Sequence, residues 1–455
     1  MPVSPKAAGS NNTGFNDSEA QYTVTYATNT ASGAVALETV ESALKEIYTP
    51  QRIRAVMYEN NPFYALLPKD TSSFGGPYMV QPIQYATNQR RSQSFSDAQA
   101  QTSSAGVKAF HLTRVRDYAH AQLDAEAILA TRGNAGSFID FLTMEVDGAL
   151  YAMKRSLCRA VFGDGTGKLC KIAGVGTGYT NPRRGAALAS ANTFATENVE
   201  DIVNFEVGQK LVATNGGTNA DGALRSGTMV VTKVERVFGE VTVDSIVGGT
   251  AADDFIVPSG DAAQGNALVR VSGLQSWLPA SVGGSDAFFG VNRSVDRTRL
   301  AGLYVSGSAS NVHDSLIDAS AILGREGGSP DTAICSYKTF IQLTKELTAK
   351  GSSNERPYRM AVSDVPSIGF EGINFKTPTG DITLLADPDC PPDDVFLLQM
   401  NTWKLYSLGE APHILSLDGL RMLRASDSDS YSLRMGFYGQ LGCSKPSANC
   451  RIALG

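Results

Sequence analysis

The run GDGTGK at residues 163–168 is the stretch of this sequence that most invites a chemical function, because glycine-rich loops that end in lysine can bind phosphate. A phosphate-binding loop needs a further glycine with four residues between it and the Gly-Lys pair, and Phe162 stands at that position. Leu169 replaces the Ser or Thr that would reach a magnesium ion. The run therefore predicts the end of a helix followed by a turn.

Clustered acids and histidines are the next candidates for chemistry. Aspartates crowd the run DPDCPPDD at residues 387–394, and their oxygens suit calcium. The spacing of an EF-hand loop and its terminal glutamate are absent, so we predict a solvated turn between two strands. The histidines show neither an HExxH pattern nor close spacing, and we predict that they lie at the surface or in interfaces. They are His111, His120, His313 and His413.

Nucleophile motifs are also missing from the sequence. There is no GxSxG run, and no cysteine stands in a recognisable nucleophile context. We therefore predict no catalytic residue, no cofactor-binding residue and no metal ligand, and a protein that is not an enzyme.

The overall composition limits the function further. The chain has 455 residues, 18% of them charged, and a net charge of −6. Proteins that bind nucleic acid through its phosphates usually carry a basic balance, so we expect any DNA contact to be local and weak. No run approaches ~18 apolar residues and the first residues lack an apolar core, which predicts neither a membrane span nor a signal peptide. The six scattered cysteines are expected to be reduced and mostly buried.

One segment has a charge opposite to that of the whole chain. Residues 71–116 contain five bases and one acid, a net charge of +4. A solvated loop is one interpretation of this asymmetry. The sharper interpretation is a basic arm that lies on an acidic surface of an identical neighbour. The candidate contact residues are Arg90, Arg91, Arg114 and Arg116.

The first half of the chain shows four predicted parts. Residues 1–36 are polar and predict a flexible arm, and apolar spacing predicts a helix from Glu38 toward Tyr58. Residues 71–116 predict two strands around a long polar tip, a hairpin with little core of its own. The pattern Ser137-x-x-Asp140 predicts the start of a helix that Gly163 ends, roughly 37 Å long at 1.5 Å per residue.

The second half is richer in strands. Short β runs between residues 200 and 272 are separated by glycine-rich turns and predict a small barrel or sandwich that folds by itself. Val312 to Leu323 and Tyr337 to Leu347 predict two helices, and mainly strands follow to the end of the chain.

Several stretches, in this order, resemble major capsid proteins of tailed bacteriophages. They are RIRAVMYENNPFYALLPK before the hairpin, FIDFLTMEVDGALYAMKRSLCRAVFGDGTG for the long helix, FFGVNRSVDRTRLAGLYV, LIDASAILGREGGSPDTAICSYKTFIQL, ADPDCPPDDVFLLQMNTWKLYSLGEAP and the ending RMGFYGQLGCSKPSANCRIAL. The resemblance covers roughly residues 37–455.

The resemblance implies an α+β fold of the Hong Kong 97 type, which also forms herpesvirus shells. Its parts are an N-terminal arm, an extended-loop hairpin, a peripheral domain with a long spine helix, and an axial domain. We predict the arm at residues 1–70, the hairpin at 71–116, the peripheral domain with its spine helix at 117–170, the axial domain at 171–380 with a β-rich insertion at about 200–272, and returning strands of both domains at 381–455.

The sequence departs from the archetype of that fold in two places. The archetype links its subunits by a Lys–Asn isopeptide bond with the lysine on the extended loop. Here no lysine lies between Lys69 and Lys108, which predicts a non-covalent shell. The archetype also begins with a long helical scaffold segment that is cut away, and residues 1–36 are too short and polar for that role. A separate scaffolding protein, or none, is implied.

The implied function is structural. The resemblance implies self-assembly as hexamers and pentamers into an icosahedral virion head, built in the bacterial cytoplasm, that encloses double-stranded DNA. The implied partners are other copies of the chain, a portal protein and, where the phage has them, scaffolding and decoration proteins, with weak non-specific contact to the packaged DNA. One alternative is an encapsulin-like non-viral shell protein. Another is an enzyme or carbohydrate-binding protein that uses the β-rich insertion.

Overall fold

The computed structural model describes residues 61–124, 135–215, 223–261, 269–283, 287–308, 311–350, 362–365, 370–416, 419–424 and 429–454. The predicted arm at 1–36 and the predicted helix at 38–58 lie outside these ranges.

The described residues contain both helices and strands, which confirms the α+β class. The α-helices are α1 (Pro62–Leu66), α2 (Phe95–Ala100), α3 (Ala135–Ala160), α4 (Leu274–Trp277), α5 (Arg297–Ala301), α6 (Val312–Arg325) and α7 (Tyr337–Lys350). Short 3₁₀ helices span Val199–Asn204, Arg293–Val295, Met400–Thr402 and Pro446–Ala448.

The strands in chain order are β1 (Lys69–Asp70), β2 (Tyr78–Ala86), β3 (Gly106–Thr113), β4 (Val115–Asp124), β5 (Cys170–Val175), β6 (Thr180–Asn181), β7 (Ala186–Ala187), β8 (Thr193–Thr196), β9 (Lys210–Asn215), β10 (Ala223–Leu224), β11 (Met229–Glu235), β12 (Glu240–Val243), β13 (Phe255–Pro258), β14 (Ala287–Phe288), β15 (Val291–Asn292), β16 (Leu303–Gly307), β17 (Thr332–Cys335), β18 (Val362–Val365), β19 (Phe370–Thr377), β20 (Gly380–Ala386), β21 (Asp394–Leu398), β22 (Trp403–Ser407), β23 (His413–Ile414), β24 (Met422–Arg424), β25 (Ser430–Cys443) and β26 (Cys450–Leu454).

The chain divides into two compact units. The larger unit contains the described residues of Ala55–Tyr118, Tyr151–Pro412 and Gly436–Gly455. The smaller unit contains those of Ala119–Leu150 and His413–Met435. Within the smaller unit, β24 pairs antiparallel with the first part of β25, and the Gln122 side chain donates to the Ser430 hydroxyl at 2.8 Å.

The long helix α3 begins at Ala135, two residues before the predicted cap at Ser137. Its second half lies in the larger unit, where Met153 and Leu157 are buried. In space, α4 begins beside the end of α3, because the Leu274 amide donates to the Val161 carbonyl at 2.8 Å. A Cβ on Gly273 would lie 2.3 Å from that same oxygen, so this end-to-end capping of α3 requires glycine.

A closed β-barrel forms one part of the larger unit. Its strands follow the order β9, β11, β12, β8, β5 and β13, and β13 pairs back with β9 to close the ring; β10 adds to the outside of β9. Every neighbouring pair is antiparallel. The predicted bounds of about 200–272 leave out β5 and β8, which lie before residue 200 and which the ring needs to close.

The barrel interior is filled by side chains. The core residues include Ile172, Phe194, Phe205, Leu211 and Ile256, all at most 1% exposed. A small barrel packed in this way has no room for a ligand in its interior.

A seven-stranded open sheet with helices on one face forms a second part of the larger unit. Its strand order is β16, β26, β21, β17, β20, β19 and β18. The pairs β16–β26 and β17–β20 are parallel, and the other pairs are antiparallel. Helices α6 and α7 cover it through Leu316, Leu323 and Leu343, which share a core with Ile382 and Leu397. The two predicted helices are thereby confirmed and extend two or three residues further.

Two predictions about polar residues are wrong. The turn at 387–394 is not solvated, because Asp387 is fully buried and Asp394 is 4% exposed. His313 is buried as well, at the start of α6, whereas His111 and His120 are exposed as predicted. All six cysteines are buried and free, and their burial agrees with the expectation.

Candidate subunit-interaction surfaces

The extended hairpin is the element of the larger unit that carries most of the predicted contact residues. Strands β2 and β3 pair antiparallel from Tyr78 opposite Thr113 to Ala86 opposite Gly106. Nine residues at ~3.4 Å each make β2 about 30 Å long. The tip, residues 87–105, contains the short helix α2.

The inner face of the hairpin is anchored by apolar packing. Ile83, Phe110 and Leu112 are at most 5% exposed. The Phe110 ring lies 5.2 Å from the Trp277 ring. The Tyr406 hydroxyl donates to the Gln81 side chain at 3.0 Å, and burial raises the pKa of this tyrosine. The hairpin therefore has more support near its base than the sequence suggested.

The outer face of the hairpin exposes apolar side chains. Tyr78, Val80 and Val107 are 45%, 48% and 63% exposed, and they point away from the buried face because side chains alternate along a strand. Phe95, on α2 at the tip, is 83% exposed. Sequence reasoning missed this face, although alternate positions of β2 and β3 carried the signal.

Arg90 and Arg91 lie exposed at the tip. The Arg90 Nε donates to the Ser103 carbonyl at 2.8 Å, across the tip. The Gln101 side-chain amide donates to the Arg91 carbonyl at 3.1 Å. These bonds order the backbone of the tip around the two arginines.

Arg114 and Arg116 lie at the other end of the hairpin. Both are exposed, on either side of buried Val115. The Arg114 guanidinium lies 5.5 Å from the centre of the Phe74 ring. The hydrogen bond with Tyr118 raises the pKa of Tyr438, and the charge of Arg116 opposes that rise. The structure thus separates the four candidate arginines into two pairs, at the tip and at the base.

The glycine-rich run after α3 makes a structural turn. The Asp164 carboxylate accepts from the Thr166 amide at 3.1 Å and from the Lys168 ammonium at 2.6 Å. Gly165 and Gly167 adopt positive φ, at 84° and 82°. Because Lys168 pairs with an acid of its own loop, the geometry favours the turn over a phosphate site.

Among the described residues, no three His, Cys, Asp or Glu side chains are grouped so as to hold a metal ion. No helix in the described part of the chain is both long and apolar enough to cross a membrane.

Comparison with known proteins finds a family model that matches part of the chain. Residues 245–419 match the family model described as SU10 major capsid protein. No curated protein sequence matches the chain.

Solved structures similar to this chain include a cyanophage capsid, a structure from a mycobacterium phage and an encapsulin complex. The capsid asymmetric unit of cyanophage A-1(L) is 12% identical over 87% of this chain and 92% of that chain, with a TM-score of 0.47. A structure from Mycobacterium phage Ogopogo is 9% identical over 87% and 92%, with a TM-score of 0.39. The holo-SrpI encapsulin complex from Synechococcus elongatus is 8% identical over 87% and 88%, with a TM-score of 0.40.

The likeness to a family rests on the match of residues 245–419 and not on the three structures. The expected hairpin, spine helix and strand-rich C-terminal part are all present among the described residues. Residues 245–419, less than half of the chain, are thus similar to the SU10 major capsid protein family, in agreement with the resemblance of the sequence to major capsid proteins of tailed bacteriophages.

Proposed function

We propose that this chain assembles as hexamers and pentamers into the icosahedral head that encloses the double-stranded DNA of the phage. The single observation that carries the proposal is the apolar outer face of the hairpin. Monomeric proteins rarely leave such a face in water, and an exposed two-stranded ribbon with apolar side chains favours association. A neighbouring copy that covers Val80 and Val107 removes this surface from solvent.

The arginines contribute to the same contact in this proposal. Arg90 and Arg91 extend a positive tip toward a neighbour, while Arg114 and Arg116 act at the base of the hairpin. Exposed charges of this kind set partner choice and association rate more than they add affinity. The chain as a whole is acidic, at −6, so an identical neighbour offers negative surface to the tip.

Further partners follow from the role of a phage head. A portal protein at one vertex, a separate scaffolding protein and decoration proteins are proposed partners, with assembly in the bacterial cytoplasm. The acidic balance of the chain supports only weak, non-specific contact with the packaged DNA.

The encapsulin-like alternative is less favoured, because the family match is to a phage major capsid protein. A shell of that kind would hold protein cargo rather than DNA. The third alternative, ligand binding by the barrel, loses support because the barrel interior is filled by side chains.

The test is electron microscopy and size-exclusion chromatography of the purified chain, with and without scaffolding protein. Wild type is expected to form closed shells of megadalton mass. The double variant Val80→Asp with Val107→Asp is expected to remain as small oligomers, because it places charges in the proposed interface. Val237→Asp is the matched control, since Val237 is 77% exposed on the barrel. Closed shells from the hairpin variant would contradict the proposal, as would an equal loss of assembly in the control.

A further inference from the structure

The outer face of the hairpin carries no acid, lysine or arginine. Side chains at alternate positions of β2 and β3 point to this face, and they stand opposite one another in four cross-strand pairs. The pairs are Tyr78 with Thr113, Val80 with His111, Pro82 with Ala109, and Gln84 with Val107. All of these residues except Ala109 are exposed. Because burying a charge against apolar side chains is costly, the face fits a partner that is uncharged as well.

The two edges of the hairpin are poorly suited to an added strand. The His111 amide donates to the Phe289 carbonyl at 3.0 Å, so the outer edge of β3 already contacts the chain that follows β14. Val80 stands opposite His111, so its backbone points outward at the edge of β2, and so does that of Pro82 two residues later. Proline has no amide to donate to a further strand. The hairpin therefore offers a partner its face and not an edge.

The absence of charge on this face has a counterpart near the start of the sequence. The two longest runs without Asp, Glu, Lys or Arg are residues 71–89, which include β2, and residues 20–37, which precede the described part of the chain. The second run can therefore lie against the face of the hairpin without bringing an ionised side chain into an apolar contact.

The pattern within residues 20–37 also fits the face. Tyr22, Val24 and Tyr26 alternate with Thr23 and Thr25. Strict alternation of aromatic and β-branched residues is typical of a strand with one apolar side. In an extended segment the two tyrosines and the valine share one side, and the threonines share the other.

The chain between this segment and the folded body is long enough to reach another copy. Asn61 stands 35 residues after Tyr26. Extended chain of that length spans up to roughly 115 Å at ~3.3 Å per residue, several times the length of the hairpin. The folded body begins close to the base of the hairpin, because β1 pairs with β22 at Tyr406, whose hydroxyl donates to Gln81 on β2.

We propose that residues 21–27 of one copy lie across the outer face of the hairpin of a neighbouring copy, with their apolar side packed against Val80 and Val107. The inference rests on the proposed function, in which a neighbouring copy covers this face, and it names the part of the copy that does so. The contact removes apolar surface of both partners from water. The threonine side of the segment faces outward.

The first test is a disulfide between the two parts in assembled shells. Val24→Cys with Val107→Cys is made in the full-length chain, and closed shells are oxidised and run on a denaturing gel without reductant. A series of linked chains that reductant removes is expected. Wild type should stay a single band, because its six cysteines are buried. Val24→Cys with Val237→Cys is the matched control and should also stay a single band, since Val237 is 77% exposed but lies on the barrel.

The second test places charges on the segment and leaves the folded body unchanged. Tyr22→Asp with Val24→Asp should lower the yield of closed shells about tenfold or more, because two carboxylates would have to lose their hydration against the apolar face. Thr23→Asp with Thr25→Asp is the matched control. It adds the same charge to the opposite side of the segment and should assemble nearly as wild type does.

Failure of this inference differs from failure of the proposed function. Normal shells from Tyr22→Asp with Val24→Asp would overturn the inference alone, provided that Val80→Asp with Val107→Asp still prevents assembly. Normal shells from the hairpin variant would overturn both.

Two further results would contradict the contact between copies. One is an equal loss of shells in the threonine control, which would show that any charge in the segment prevents assembly. The other is a single chain-sized band from oxidised shells of Val24→Cys with Val107→Cys. If the engineered thiols in that band were no longer free, each segment would lie on the hairpin of its own chain.

Discussion

The ring of Phe110 on the hairpin lies 5.2 Å from the ring of Trp277, and both side chains are fully buried. Trp277 also donates from its indole nitrogen to the Leu441 carbonyl at 3.1 Å. Phe288 joins the pair, 6.1 Å from Phe110 and 5.1 Å from Trp277. This aromatic contact fixes the base of an element whose tip is exposed.

The first prediction concerns that anchor. Phe110→Ala should lower the free energy of unfolding of the unassembled subunit by about 3–5 kcal/mol, because it empties a packed aromatic site. Phe95→Ala should change it by less than about 0.5 kcal/mol, since Phe95 is 83% exposed. Denaturant titration measures both values. A small loss for Phe110→Ala would show that the hairpin base gains little from the aromatic contact.

The second prediction is that the shell is non-covalent. Lys108 is the single lysine of residues 71–116, and its ammonium donates to the Asn292 backbone carbonyl of its own chain at 3.3 Å. It lies on β3, three residues after the tip ends at residue 105. Mature heads boiled in detergent should release a band near 48.2 kDa. A ladder of linked multimers on the gel would refute this.

How much of the fold the sequence predicts depends on whether the signal is local. Leu316 and Leu323 lie on one face of a helical pattern, so α6 was predictable from apolar spacing. The burial of Asp387 was not, because its amide partner Phe63 stands 324 residues away in the sequence. A run of acids and prolines carries no sign of such a distant partner, and solvation is then the simpler expectation.

The candidate contact surface of the hairpin was also predictable only where the signal is local in the sequence. The positive charge of the hairpin was visible in composition, but its division into a tip pair and a base pair depends on the register of β2 against β3. The predicted domain bounds, and the contact role of the four arginines, remain predictions.

The third prediction revises the module expected at residues 200–272. Residues 168–261 contain all six strands of the closed ring and should fold alone, with a β-type circular dichroism spectrum and a cooperative melt. Residues 200–272 lack β5 and β8, and with them the buried Ile172 and Phe194, so this fragment should remain largely unfolded. Equal melting behaviour of the two fragments would contradict the need for ring closure.

The fourth prediction is that Arg90 and Arg91 act in assembly and not in folding. Both lie at an exposed tip, and the hydrogen bond described for their own side chains joins the Arg90 Nε to the Ser103 carbonyl at 2.8 Å. Reversing both charges should therefore leave the melting curve of the unassembled subunit nearly unchanged. One exposed ion pair contributes only about 0–1 kcal/mol.

Assembly should respond differently, because each contact recurs in every subunit of the shell. Arg90→Glu with Arg91→Glu replaces attraction by repulsion at all of these contacts and should strongly reduce the yield of closed shells. Arg90→Lys with Arg91→Lys keeps the charge and should assemble nearly as wild type does. Wild-type assembly should weaken as salt is added, since exposed charges are screened within about 10 Å at 0.1 M. Electron microscopy measures the yield of closed shells. A normal yield from the glutamate variant would show that the tip is solvated and makes no contact in assembly. The positive charge of residues 71–116 would then have another cause.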